Sequence, residues 1–301
     1  MFTLETHVVL ALIIPLLGAI GIAIAASAPN IRETVTLVTS VLLCLNVFSI
    51  LPGVMNGVEP VVVLVQLMPE IGLTLKVEPL GMTFAAVASS LWIINSIYSI
   101  GYMRGNNEPR QTGFYVCFAI AIAATMGVAF SGNLLTLFVF YEVLTLSTYP
   151  LVTHKQNADA LKGGRIYLGI LIGTSIGLFL PAIIWTWTLA GTVDFVKGGI
   201  LDGHASAGVT GVLLFLFMYG IGKAALMPIH RWLPAAMVAP TPVSALLHAV
   251  AVVKAGVFAV LKVVIYIFGI DFLSQTGAAI FCCLTMAPSR LPPSHEPRHD
   301  G

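Results

Sequence analysis

Runs of about twenty apolar residues, the length a helix needs to cross a bilayer, recur at 8–26, 34–54, 80–101, 113–130, 133–153, 165–190, 209–234 and 241–267. Turn chemistry bounds them, as in "SAPN", "RGNNEPRQTG", "SGN" and "HKQNADALKGG". The seventh run is interrupted by prolines, and a ninth begins near Phe272 and stops early. The runs lack the period-2 alternation of a membrane barrel. The pattern therefore predicts an all-α, polytopic transmembrane helix bundle with a broken seventh helix.

Composition narrows the picture. Of 301 residues, 58% are hydrophobic and only 9% charged, whereas ordinary soluble domains are about a quarter charged. The net charge of +1 offers no clustered basic face for a nucleic acid. Cys44, Cys117, Cys282 and Cys283 show no metal-ligand or disulfide spacing. No glycine-rich phosphate-binding motif is present, so neither a cofactor nor a metal is expected. The opening "MFTLETH" carries Glu5 and no basic residue, which makes the first run a retained span rather than a signal peptide.

Loop charges set an orientation. One set of alternate loops holds Arg32, Arg104, Arg110, Lys155, Lys162, Arg165 and Arg231; the other holds only Lys76 and Lys197. The positive-inside bias places the first set in the cytoplasm and the N-terminus outside. In the sixth run, Gly169, Gly173 and Gly177 recur every fourth residue and predict a close helix–helix contact. From Ala287 the chain reads "APSRLPPSHEPRHDG", without apolar period, and is expected to be disordered.

The charges left inside the spans are Glu142, Lys223, Lys254 and, near the end of its run, Lys262. A charge at the bilayer centre costs about 2.5–3.5 kcal/mol even on insertion scales, so each needs a partner or a wet cavity. An ion pair plus a further basic site is expected. Thr145 and Tyr149 share the Glu142 face, three and seven residues on, and can hydrogen-bond its carboxylate or hold water. The alternative is a structural pair that locks two helices. Pro228 displaces the backbone four residues back, beside Lys223, and broken spans recur at transporter ion sites. His248 and Lys254, six residues apart, lie about 9 Å along and about 120° around a helix, too far apart for a direct relay. Ser244 shares the His248 face. Lys262 is expected to snorkel to the outer interface.

The segment "KAALMPIHRWLPAAMVAPTPVSALLHAVAVVKAGVF" resembles the most characteristic stretch of the antiporter-like membrane subunits of respiratory complex I, membrane-bound hydrogenases and Mrp-type cation:proton antiporters. "NLLTLFVFYEVLTLSTYPLV" resembles the same family's glutamate-bearing helix. The resemblance covers most of 1–285, and "HAVAVVKAGVF" with the short N-terminal region is most similar to the D-type subunit of the Mrp antiporters.

The resemblance implies that Glu142 is the buried glutamate of the fifth helix and Lys223 its partner on the broken seventh. Lys254 is then the next proton acceptor on the eighth helix, with His248 on that path. It implies N-terminal helices at 1–112, a core repeat at 113–268, and an incomplete ninth helix and tail at 269–301. It also implies a second, inverted repeat that this chain mostly lacks, so a truncated frame is expected. Where many relatives read "WLPDA", this chain has Ala235, which removes a loop carboxylate.

The expected function is translocation of protons, with sodium as an alternative coupled ion, by an inner-membrane subunit of a bacterial multisubunit antiporter or NADH-quinone oxidoreductase-like complex. Its partners would be other membrane subunits and the lipid bilayer, and it would carry no redox centre of its own. The alternative is a non-conducting assembly subunit or remnant.

Overall fold

The computed structural model describes residues 3–68, 71–245 and 251–275. His248 and the 276–301 tail, with Cys282 and Cys283, lie outside the described residues. The first helices are α1 (Leu4–Ile24), α2 (Pro29–Met55), α3 (Pro79–Gly105), α4 (Gln111–Ala129) and α5 (Leu134–Val152). α6 (Ala158–Thr174) passes through a π turn, Ser175–Phe179, into α7 (Leu180–Ala190). Among the described residues, six helical stretches are long and apolar enough to span a membrane. α4 is the axis of the bundle, buried along most of its length, while Leu17, Ile24, Leu45 and Ile94 point outward. An apolar exterior is what a bilayer solvent selects.

Local chemistry sets the helix ends. Pro29 and Pro79 open α2 and α3 at the first turn, where no intrahelical donor is lost. The Asn133 side chain accepts from the Thr136 N–H at 2.8 Å and starts α5. On the arginine-rich side, Arg104 at the end of α3 meets Glu33 of α2 at 2.5 Å. Arg32 donates to Gln111 of α4 at 2.7 Å.

One element departs from the all-helical pattern. Strands β1 (Val61–Met68) and β2 (Ile71–Lys76) pair antiparallel between α2 and α3, with Val61 opposite Lys76. The run "VVVLVQLM" is β-branched and alternates in exposure from Val61 to Val65, a short strand signal inside a chain otherwise dominated by longer runs. The α4–α5 turn closes the outer edge of β2. The Lys76 N–H donates to Phe130 O at 2.7 Å, the Gly132 N–H to Thr74 O at 2.8 Å, and Asn133 Nδ2 to Gly72 O at 2.8 Å.

The expected glycine contact on the sixth run is not formed among the described residues. Gly169, Gly173 and Gly177 are exposed, and a Cβ on any of them would meet nothing within 4 Å. The helix turns Tyr167, Leu171, Ser175 and Phe179 inward instead.

Candidate functional site

The seventh span breaks at its middle. α8 (Ala207–Gly220) ends where Ile221 leaves helical geometry, and a 3₁₀ turn, Gly222–Ala224, follows. The left-handed Ala225 then leads to a second turn, Ile229–Arg231, and the short α9 (Trp232–Ala236). The break therefore opens before Lys223, not only at the carbonyl that Pro228 displaces. Side chains replace the missing ladder: the Lys223 N–H donates to the Tyr141 hydroxyl at 2.9 Å, and Trp232 Nε1 donates to Gly222 O at 2.9 Å. Buried backbone groups in a bilayer need such substitutes.

Lys223 is wholly buried. Its Nζ donates to the Tyr141 carbonyl at 2.8 Å and to Thr145 Oγ1 at 2.5 Å, and lies 3.2 Å from the centroid of the Tyr141 ring. All three contacts come from one turn of α5. That turn also carries Glu142, whose two carboxylate oxygens are buried without a hydrogen-bond partner among the described residues. No ion pair joins Glu142 to Lys223 among those residues. The direct pair expected from the sequence is replaced by Lys223 gripping Tyr141 and Thr145. Thr145 likewise serves Lys223 rather than the Glu142 carboxylate. One residue along a helix is about 100° of rotation, so Tyr141 and Glu142 face different directions. Glu142 is still close enough for its charge to act on Lys223 and on the Tyr141 and Tyr167 hydroxyls.

After the reopening turn α10 (Thr241–Val243), the eighth span is described from α11 (Val252–Lys262), which continues as a π turn through Val263–Phe268 to α12 (Ile270–Gln275). Gly256 of α11 lies directly against the break: a Cβ there would stand 2.3 Å from Ala224 N and 2.4 Å from the Lys223 carbonyl carbon. Lys254, two residues earlier, is exposed. It borders an apolar groove of about 310 Å³ between α3 and α11, lined by Leu80, Phe84, Leu91 and Leu261 among others. The structure thus keeps Lys254 on the eighth span but turns its side chain away from Lys223.

Lys262 is a correction. It does not snorkel: it is wholly buried, its Nζ 3.4 Å from Glu78 Oε2, which is also buried. Sequence reasoning missed both this pair and the roles of Tyr141 and Trp232. Tyr141 could have been found, since it precedes Thr145 by four residues and so shares its face. Glu78 carried no such signal, because it sits in a loop just before Pro79.

Among the described residues no cluster of His, Cys, Asp and Glu could hold a metal. At the break, what remains chemically is the buried Lys223 amine with its oxygen acceptors on α5 and, on the same turn of α5, the Glu142 carboxylate without a hydrogen-bond partner among the described residues.

Comparison with known proteins places this geometry. A probable K(+)/H(+) antiporter subunit of Rhizobium meliloti is 32% identical over 201 residues, 64% of this chain and 20% of that protein. Hydrogenase-4 component B of Escherichia coli is 31% identical over 211 residues, 69% of this chain and 30% of that protein. The chain thus spans less than a third of either relative's length. Neither name bears on the finer resemblance to the D-type Mrp subunit. In fold, it is similar to a chain in the structure of the Mrp complex from Dietzia sp., with a TM-score of 0.79 at 20% identity, covering 95% of this chain and 52% of that one. Residues 131–287, which include the Glu142 helix, the break at Lys223 and α11, match the family described as NADH:quinone oxidoreductase/Mrp antiporter, TM. This multi-pass membrane protein belongs to that family.

Proposed function

We propose that the chain is a proton-translocating subunit of a multisubunit cation:proton antiporter or NADH:quinone oxidoreductase-like complex. Lys223 carries the proton in this reading, and Glu142 modulates it. The supporting observation is the juxtaposition on α5. A fully buried ammonium site rests on Tyr141 and Thr145, while the neighbouring Glu142 carboxylate is buried with no partner among the described residues. Burial disfavours a charged amine and a nearby carboxylate favours it. A side-chain turn of Glu142 toward Lys223 would load the amine, and a turn away would release the proton.

His248 and Lys254 remain the proposed onward path within a core repeat at 113–268. The outward groove that holds Lys254 calls for cover by further protein. A redox partner or a cation gradient, with sodium as the alternative ion, would drive the cycle. The proposed setting is a bacterial inner membrane with the N-terminus outside. A second reading, a non-conducting assembly role, draws on the unpaired Glu142 and the outward Lys254.

The test is proton transport by the complete complex in proteoliposomes. Lys223→Ala and Glu142→Gln should each abolish transport while assembly persists. Wild-type transport in both would leave the assembly role.

A further inference from the structure

We infer that Glu78 and Lys262 form a second buried proton-transfer station, with Lys76 and Glu59 as its route to water at the hairpin end of the bundle. This rests on the proton-translocating reading above and adds an outlet to it.

Five charges of alternating sign converge from separate parts of the chain. Lys262 closes α11, Glu78 precedes α3, Lys76 ends β2, Glu59 precedes β1, and Lys197 lies in the loop after α7. Lys262 Nζ lies 3.4 Å from Glu78, Glu78 3.7 Å from Lys76, Lys76 3.1 Å from Glu59, and Glu59 2.5 Å from Lys197. Side-chain exposure along that order is 0%, 0%, 23%, 23% and 70%. The ladder therefore runs from the sealed interior to the surface. It also unites Lys76 and Lys197, the two basic residues of the sparse loop set, on one carboxylate.

The buried end is built for a charge that comes and goes. Lys262 donates to the Ser131 carbonyl, and the rings of Phe195, Phe258 and Tyr266 surround it at 4.4, 5.7 and 5.9 Å. Tyr266 is the other titratable group facing Glu78 among the described residues. A fastener gains little from a pair sealed this deeply, because desolvation offsets the attraction. The outer pairs alone would pin the hairpin.

The same helix serves both sites. Gly256 touches the Lys223 backbone, and Lys262 stands six residues further on, about 9 Å along α11 and about 120° around it. Reloading from the Lys223 side therefore needs a water or another side chain between them.

In the outlet, Lys76 gives its proton to the Glu59 carboxylate, which releases it to water. Lys262 gives its proton to the Glu78 carboxylate, and the neutral Lys76 amine takes it from Glu78. One proton has left, Glu78, Lys76 and Glu59 are restored, and Lys262 is a neutral amine awaiting reloading from the Lys223 side. The Lys197 hydrogen bond holds Glu59 below the usual carboxylate range, so Glu59 is ionised at rest and the proton from Lys76 occupies it only in passing on the way to water.

The experiment uses the complete complex in proteoliposomes, with pH varied on the hairpin side. The neutral double variant Glu78→Gln with Lys262→Met should assemble yet transport about a hundredfold more slowly, the scale of one positioned proton-transfer group. Glu59→Gln, at a partly exposed position, should shift the midpoint of the hairpin-side pH profile. If the double variant keeps the wild-type rate while Lys223→Ala is inactive, the pair is a fastener and this inference alone falls. If Lys223→Ala also transports normally, the proton reading itself falls. Should the double variant fail to assemble, Glu59→Gln decides: a shifted profile supports the outlet and an unchanged one overturns it.

Discussion

The indole Nε1 of Trp232 donates a 2.9 Å hydrogen bond to the carbonyl of Gly222, closing the broken seventh span on itself. Both sit in the interior, and the Tyr167 ring meets the indole edge-on at 5.6 Å. Trp232→Phe keeps most of that packing and removes the donor. The Gly222 carbonyl keeps the Ala225 N–H at 3.0 Å, so the variant loses one hydrogen bond, worth about 0.5–1.5 kcal/mol. The variant should lower the unfolding temperature of the purified complex and reduce transport together; an unchanged melt would mean the break is held elsewhere.

Gly256 and Gly173 make a paired test of backbone approach. A Cβ on Gly256 would stand 2.3 Å from Ala224 N, whereas one on Gly173 would meet nothing within 4 Å. Backbone atoms cannot yield as a side-chain tip can, so Gly256→Ala should cost about 1–3 kcal/mol as an overpacked contact. Gly173→Ala should be neutral or stabilise by about 0.5–1 kcal/mol, the ordinary helix gain over glycine. Thermal melts of the complex read both. A loss at Gly173 would reveal a partner helix seated on that stripe.

These two contacts also mark what the sequence could tell. The spans were legible because twenty-residue apolar runs have one reading in a bilayer, and Pro228 announced a break. Where the break opens was not, since the Lys223 N–H and the Gly222 carbonyl freed past Ile221 are taken up by the Tyr141 hydroxyl of α5 and by the Trp232 indole further along the same span. Lys223 was legible as a buried charge, but its partners were not: helix spacing put Thr145 near Glu142 and equally near Tyr141, and tertiary packing chose Tyr141. In the sequence Lys254 reads as a charge inside its span and Lys262 as one that snorkels, yet the first is exposed and the second is sealed against Glu78. The hairpin hid in an apolar run too short for a span.

Thr145 supplies the shortest contact to Lys223 Nζ, 2.5 Å. Thr145→Val preserves shape and deletes the acceptor. A hydrogen bond to a charged group contributes about 1.5–3 kcal/mol, so transport should fall by roughly ten- to a hundredfold. Thr145→Ser restores the oxygen and should recover most of the rate. Equal rates in valine, serine and wild type would remove Thr145 from the proton site.

His154, just past the end of α5, ties acid sensitivity to the arginine-rich end of the bundle. Its ring is buried, edge-on to Phe114 at 5.8 Å, with Nε2 3.9 Å from Glu108. Burial pushes the imidazole below its ordinary value, against the pull of Glu108 and with help from Arg110 and Lys155. The unfolded chain takes up the proton near pH 6.5, about the free imidazole value, while the folded chain resists it. The unfolded state then binds more protons as pH falls, so stability present above about pH 6.5 is lost below it. The unfolding temperature of the complex should drop on acidification from about pH 7.5 to about pH 5.5, and His154→Gln should flatten part of that slope. A wild-type melt that rises with acid would show that the Glu108 pair outweighs burial and that His154 is charged in the fold.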